Sequence, residues 1–265
     1  MPFPTSRIPF NSQNPYRPER PATSKIIFLS CEGSVTEEEY FARISDLFSE
    51  VRSKIQFISV AEDEVHTAPK SRTPDQAKLL SRVRPKQLVE RIDNFKIEKD
   101  SMYQFSANPD DEFWIVTDVD QNWSNGVIDP TADKTYLDEW NEAVAMCQAR
   151  GYGYAISNPF FEMWLLLHHD DPTDEDKSFA VTDNQSYKKT DHFRTRLSNL
   201  SVPLKDKKHI NPSHYNSQNV KDAIQRANVL HIDKEDLSPH YYATTVYLLL
   251  LKIIQMLPDQ AQASR

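Results

Sequence analysis

Short apolar runs alternate with amphipathic segments along the chain as far as residue 168. The runs are Ile26–Leu29, Phe57–Val60, Phe113–Val116 and Tyr154–Ile156. Runs this short and this apolar are typical of strands buried on both faces of a sheet. The segments between them place apolar residues at helical spacing. The alternation therefore predicts an α/β fold with a mainly parallel sheet of about four strands, flanked by helices.

Helix signals lie between and after the predicted strands. The apolar spacing predicts helices over residues 36–48, 79–95, 136–147 and 160–168, and Gly151 marks the end of the third. Thr36 and Glu39 have the spacing of a capping box, in which two side chains satisfy free donors at a helix start. Pro85 is expected to break or kink the second helix.

The alternation fades after residue 169, and four parts of the chain are predicted. They are a Pro- and Arg-rich arm (1–24), an α/β core (25–169), a loop and helical extension packing on the core (170–257) and a flexible tail (258–265). The arm is expected to be disordered, with partner docking as the alternative. Within the extension, Val220–Leu230 and Tyr241–Leu257 have helical patterns. The second is apolar nearly all round and is expected to be buried.

Charge and composition narrow the class of protein. Lys and Arg number 31 against 39 Asp and Glu, a formal net charge of −8, which argues against an unselective coat over nucleic acid. Two cysteines cannot form a disulfide framework, no signal peptide is visible, and no apolar run could cross a membrane. A cytoplasmic location without membrane contact is therefore expected. Four glycines leave no glycine-rich phosphate loop.

Acidic residues follow two of the predicted strands. Glu32 comes just after the first strand, and Asp118 and Asp120 come just after Phe113–Val116. Residues two apart on an extended segment point the same way, and the carboxyl ends of parallel strands share one edge of a sheet. Carboxylates gathered there would bind Mg²⁺, which prefers oxygen ligands, or Mn²⁺. Turn formation by the two aspartates is the alternative interpretation.

A second polar cluster follows the Tyr154–Ile156 strand. Asn158 is a natural N-cap for the helix that follows, with Pro159 in its first turn. Glu162 is the one charge in an otherwise aromatic and aliphatic stretch, so it requires a metal, a base or a donor as partner, and it is a candidate catalytic residue. Asn158 and His168 are expected to support the site.

The sequence resembles one protein family in several places, in order. The matching segments are Cys31-Glu32-Gly33, Thr36-Glu37, Tyr40-Phe41, Asp118-Val119-Asp120, Ser157-Asn158-Pro159, Phe161–His168, Asp222-Ala223-Ile224, Arg226-Ala227 and Thr244–Tyr247. Together they resemble the RloB family, which includes the related AbiLii proteins, over about residues 25–255. The combination is specific, although each segment alone is a weak signal.

The resemblance implies a fold and a chemistry. The RloB family is associated with a Toprim-type fold, with restriction loci and abortive phage defence, and commonly with a neighbouring ABC-type ATPase. The Toprim resemblance implies Mg²⁺-dependent phosphodiester chemistry. Glu32 would match the Toprim glutamate, and Asp118 and Asp120 the first two positions of its Asp-x-Asp-x-Asp pattern. The third position is Asn122, which offers a neutral oxygen and lowers the negative charge of the site.

A basic run is the candidate contact with nucleic acid. Its central members are Lys78, Arg82, Arg84 and Lys86. In an acidic protein this local excess could follow a phosphate backbone. The alternative is an ordinary solvated helix face.

Two residues are unsuited to covalent catalysis. Cys31 lies beside Glu32, which raises rather than lowers the pKa of a thiol. Tyr40 falls on the apolar stripe of the first predicted helix. Neither is expected to act as a nucleophile.

These observations favour a Mg²⁺-dependent nuclease of Toprim type acting in phage defence. Glu32 is the expected general base or a third metal ligand, and Asp118 and Asp120 are the expected ligands of one or two metal ions. One alternative is a non-catalytic or conditionally active partner of a defence ATPase, and another is a metal-dependent enzyme acting on small nucleotides. A homo-oligomer is compatible with each hypothesis.

Overall fold

The computed structural model describes residues 25–33, 35–48, 55–58, 84–119, 135–181 and 191–255. Within these ranges a five-stranded sheet is flanked by eight helices. The strands are β1 Ile27–Cys31, β2 Ile55–Phe57, β3 Glu112–Asp118, β4 Gly153–Asn158 and β5 Ala243–Thr244. The helices are α1 Thr36–Leu47, α2 Pro85–Tyr103, α3 Tyr136–Arg150, α4 Phe161–Leu166, α5 Asp174–Lys177, α6 His192–Asn199, α7 Ser217–Leu230 and α8 Val246–Gln255. Short 3₁₀ turns occupy Phe105–Ala107 and Pro212–His214.

The sheet has the order β2-β1-β3-β4-β5. Its first four strands are parallel, and β5 runs antiparallel to β4. Cys31 pairs with Val116, and Asp118 pairs with Ser157. The carboxyl ends of β1, β3 and β4 therefore lie side by side, and we call this border of the sheet the carboxyl edge. The predicted α/β fold with a mainly parallel sheet is confirmed.

Side-chain alternation divides the core between the two faces of the sheet. In β1, Ile27 and Leu29 join a cluster with buried residues of α1, α4, α6, α7 and α8. Ile26 and Phe28 point the other way and join a cluster with α2 and α3. Phe28 stacks on Phe113 with ring centroids 4.9 Å apart. Burial on both faces explains why these strands carry continuous apolar runs.

Some predicted boundaries move. The second strand begins earlier than predicted and ends at Phe57, because its residues pair with Ile27–Leu29 of β1. Pro85 starts α2, as expected for a residue that lacks the backbone donor a helix interior needs. Gly151 ends α3 in the left-handed conformation at φ 68°, which confirms the predicted stop.

Two predicted helix caps are wrong. The N-cap of α1 is Val35, which makes no side-chain capping bond. Thr36 instead donates to the carbonyl of Lys208 at 2.7 Å, and Glu39 accepts from the backbone N–H of Ile210 at 2.9 Å. Tertiary contacts with a distant loop thus replace the local capping box.

Asn158 is likewise not an N-cap. It is the last residue of β4, and the N-cap of α4 is Phe160. The Asn158 amide donates to the carbonyls of Val181 and Pro239, at 2.8 and 2.9 Å, and accepts from the Val181 N–H at 2.7 Å. These bonds tie two distant loops to the end of the strand.

The segment predicted as one helix over 241–257 begins with a strand. Ala243 and Thr244 pair antiparallel with β4, and α8 starts only at Val246. Thr245 helps fix the junction, because its N–H donates to the Ile156 carbonyl at 2.8 Å. The helix is also not buried all round, since Leu251 is 36% exposed. The predicted arm and tail lie outside the described residues.

Candidate active site at the carboxyl edge

Glu32 and Asp118 lie next to each other at the carboxyl edge. Pairing of β1 with β3 continues past the strand end, because the Glu32 N–H donates to the Val116 carbonyl at 2.9 Å. The Glu32 side chain turns back onto β3, where Oε2 accepts from the Asp118 N–H at 3.1 Å and from the Thr117 hydroxyl. Thr117 is buried. The two donors fix the orientation of the carboxylate at the end of β3.

The remaining predicted ligand positions lie outside the described residues. These are Asp120 and Asn122. Within the part of the chain that the structure describes, no group of three His, Cys, Asp or Glu side chains is arranged to hold a metal ion. Glu32 and Asp118 supply two carboxylates, which suits Mg²⁺ because it commonly takes one or two protein carboxylates and completes its shell with water and phosphate. The predicted three-residue site stays a prediction.

Glu37 is a further acid at this edge that was not predicted as a site residue. It lies in the first turn of α1 and is 8% exposed. Its pKa is raised to about 7: burial is the largest cause, the Glu162 carboxylate also raises it, and backbone N–H donors, including Gly33, lower it. A side chain at Gly33 would overlap this group, because an added Cβ would lie 1.9 Å from Oε2 of Glu37.

Glu162 has the partner that its surroundings require. It lies in the first turn of α4 and is 9% exposed. Arg194 of α6 forms an ion pair with it, with Nη2 2.6 Å from Oε1. That ion pair explains how a charge can lie in an apolar stretch. A structural role therefore accounts for Glu162, and its proposed catalytic role depends on its closeness to Glu37.

His168 is buried behind the edge and is 2% exposed. Its Nδ1 is 2.9 Å from the Trp164 carbonyl, and its Nε2 is 3.0 Å from the Tyr40 hydroxyl. Burial lowers the pKa of His168 to about 3, so the ring is neutral at physiological pH. This placement suits a supporting role for His168 and not that of a charged acid.

Cys31 and Tyr40 have the environments expected of inert residues. Cys31 is buried, and burial is the largest cause that raises the pKa of its thiol, with Glu37 and Glu38 adding to it. Tyr40 is also buried, which raises the pKa of its hydroxyl. A high pKa in each case disfavours the nucleophilic anion.

Two members of the predicted basic run, Arg84 and Lys86, lie at the start of α2, which packs on the face of the sheet opposite to α1 and α4. Arg84 forms an ion pair with Glu139 at 2.7 Å, and Lys86 with Glu142 at 3.1 Å, so both connect α2 to α3. Lys78 and Arg82 lie outside the described residues. Arg91, further along α2, donates to the Cys31 carbonyl at 3.1 Å and thus reaches the carboxyl edge.

Sequence reasoning missed two charged residues near this edge for different reasons. Glu37 carried a signal, because it opens a helix directly after the strand-end segment that contains Glu32. Arg194 carried none, since it is separated from Glu162 by 32 positions and lies in a polar stretch without periodicity.

The fold and the edge define the class of protein: an α/β protein with a mainly parallel sheet, whose carboxyl edge carries Glu32 and Asp118 and whose helices α1 and α4 carry Glu37 and Glu162 in their first turns. A family model described as RloB-like protein matches residues 27–253. The chain therefore belongs to the RloB-like family. Comparisons with curated proteins and with solved structures give no match.

Among the described residues, no helix combines the length and the apolar character that crossing a bilayer requires.

Proposed function

We propose that this protein is a Mg²⁺- or Mn²⁺-dependent nuclease of Toprim type that cleaves phosphodiester bonds of nucleic acids. The observation that carries the proposal is the contact between the Glu32 carboxylate and the backbone of Asp118. The Glu32 carboxylate and the backbone of a residue 86 positions away meet at the carboxyl edge, which is where parallel sheets bind ligands.

The residues present fit a hard divalent cation. Glu32 and Asp118 would hold it, together with Asp120. When bound, the ion would polarise the phosphoryl oxygen and lower the pKa of a water molecule. The chain itself supplies a fixed carboxylate at Glu32, whose Oε2 is oriented by Thr117 and the Asp118 N–H. A carboxylate held in this way is suited to accept a proton from an attacking water.

Glu37 and Glu162 extend the acidic character of the site. Glu162 raises the pKa of Glu37, and Arg194 forms an ion pair with Glu162. We propose that Glu37 holds a proton near neutral pH that it can exchange at the edge. Arg194 would hold Glu162 in position.

The biological role follows from the family resemblance. We propose that the nuclease acts in phage defence beside an ABC-type ATPase in the cytoplasm. The resemblance is the support for this part of the proposal.

Cleavage assays test the proposed activity. Purified protein is incubated with plasmid DNA, tRNA and mononucleotides, with Mg²⁺, with Mn²⁺ or with EDTA. We expect metal-dependent cleavage of a polymer that the double variant Asp118→Ala, Asp120→Ala abolishes. Replacement of the surface residue Asp174, which is fully exposed, is the control. Undiminished cleavage by the double variant would refute the assignment, and turnover of mononucleotides alone would favour a small-nucleotide enzyme.

A further inference from the structure

A lysine-rich turn contacts the first turn of α1. Its residues are Lys205–His209, which we call the lysine hairpin. The N–H of Lys205 donates to the His209 carbonyl, and the N–H of His209 donates to the Lys205 carbonyl, each at 2.8 Å. Lys205, Lys207 and Lys208 are exposed. The hairpin is thus a closed turn that presents three ammonium groups to solvent.

Contacts with α1 position the lysine hairpin. Thr36, the first residue of α1, donates to the Lys208 carbonyl at 2.7 Å. Glu39 is 2.7 Å from Nδ1 of His209 and accepts from the Ile210 N–H at 2.9 Å. These bonds hold the hairpin against the first turn of α1, the helix that follows Glu32 in the chain.

A second set of contacts connects the lysine hairpin to α6 and α4. Arg194 binds Glu162 through Nη2 and Asp191 through Nη1, at 2.6 and 3.1 Å. Asp191 in turn lies 3.3 Å from Nζ of Lys207. These pairs connect the hairpin through α6 to Glu162 in the first turn of α4. The hairpin is therefore held in place by α1 and by α6.

Two residues of the turn that carry side chains have a backbone conformation that favours glycine. Asp206 and Lys207 both have positive φ, 52° and 65°. Glycine adopts positive φ without steric cost, whereas a residue with a side chain does not. A lysine at the second position is strained, and such strain is characteristic of functional sites. A glycine would give a more stable hairpin with one positive charge fewer.

We propose that the lysine hairpin binds the phosphate backbone of the nucleic acid whose cleavage is proposed above. Within the hairpin three exposed lysines face one acid, Asp206. Beside it, Glu162 and Asp191 pair with Arg194, and Glu39 pairs with His209. The ion pairs of Asp191 are solvent-exposed and weak, so phosphates can compete for the cations. Backbone recognition needs positive charge at spacing fixed by the protein, and the anchored turn supplies it. The inference rests on the proposed nuclease function but concerns binding alone.

Binding measurements test the proposal in EDTA, where metal-dependent cleavage cannot occur. Fluorescence anisotropy is recorded with labelled 30-nucleotide single-stranded DNA, RNA of the same sequence and the DNA duplex. The variant Lys205→Gln, Lys207→Gln, Lys208→Gln should bind about 10- to 50-fold more weakly near 0.1 M salt, and its salt dependence should lose about 2 to 3 in log–log slope. A matched control, Lys99→Gln, Lys221→Gln, Lys252→Gln, carries the same charge change and should bind as the wild type does.

Lys207→Gly separates binding from folding. Relief of the positive φ should leave the melting temperature equal or higher, while affinity for the oligonucleotides falls several-fold. Affinity and salt slope unchanged in the hairpin variant, an equal loss in the control, or no binding by the wild type would overturn the proposal. So would binding of polyglutamate as tight as that of nucleic acid. If the hairpin variants lose binding but no polymer is cleaved by the wild type, the nuclease proposal fails and the binding surface stands.

Discussion

Two buried acids in this molecule have opposite electrostatic surroundings. Asp176 of α5 is fully buried and lies among donors: Arg196, His192 at 2.7 Å, and the N–H and hydroxyl of Thr173. Glu37 is almost as buried, but the charge that most affects it is another carboxylate, Glu162. The difference indicates that Asp176 holds the C-terminal extension together, whereas Glu37 keeps an acid at the carboxyl edge at a cost in stability.

The largest expected change in the free energy of unfolding comes from replacing Asp176. Asp176→Ala would leave Arg196 and His192 without their buried partner, and removal of one member of a buried ion pair typically costs about 3–5 kcal/mol. Urea denaturation at pH 7 measures the change. Asp174→Ala, at an exposed position two residues away, should change the unfolding free energy by less than about 0.5 kcal/mol. Equal changes in unfolding free energy for the two substitutions would show that the buried contacts of Asp176 do not stabilise the fold more than an exposed aspartate does.

Replacement of Glu37 should raise the stability of the protein instead of lowering it. The folded pKa of Glu37 is about 7, above its unfolded value of 4.5. The contribution of Glu37 to stability is therefore fully present below pH 4.5 and is lost as the pH rises toward 7. Glu37→Gln removes the charge and keeps an acceptor for the Gly33 N–H. In EDTA at pH 8, the variant should therefore be more stable than the wild type, by up to about 3 kcal/mol.

Denaturation of both proteins at pH 5 and pH 8 provides the check for Glu37. The advantage of the variant should shrink at pH 5, where the wild-type carboxyl is protonated in the folded state. A variant that is less stable than the wild type at pH 8 would show that Glu37 is ionised and favourably paired, like Asp176.

His168 is a buried base, and its lowered pKa makes stability depend on pH in the opposite direction. Its folded pKa of about 3 is below the unfolded value of 6.5, so its contribution to stability is present above pH 6.5 and is lost as pH falls toward 3. Between pH 6.5 and 5 the wild type should lose about 2 kcal/mol through this residue. His168→Gln should flatten that slope, and urea denaturation at pH 7.5 and 5 would detect it. An unchanged slope would assign the acid sensitivity to other groups.

The sequence was informative wherever local pattern determines structure. Apolar runs predicted the four parallel strands, and because the carboxyl ends of such strands share an edge, the proximity of Glu32 and Asp118 could be expected before the structure. The capping box at Thr36 was wrong, since its members bond instead to Lys208 and Ile210, about 170 positions away.

Features that depend on distant partners were not predictable. Strand β5 has two residues, too few for any periodicity, and it is held by pairing with Ser157 and Asn158. The pairing of Glu162 with Arg194 and the anchoring of the lysine hairpin depend on how α6 and the following loop pack against α1. No local propensity encodes those contacts.

The most direct test of the account is binding of a divalent cation at the carboxyl edge. Titration calorimetry with Mn²⁺ at pH 7.5 compares the wild type with Glu32→Gln, Asp118→Asn and the surface control Asp174→Asn. The account predicts that the wild type and the control bind Mn²⁺, and that each edge variant binds at least about tenfold more weakly, because each loses a carboxylate ligand. Equal Mn²⁺ binding by the wild type and both edge variants, or no binding by the wild type, would contradict it.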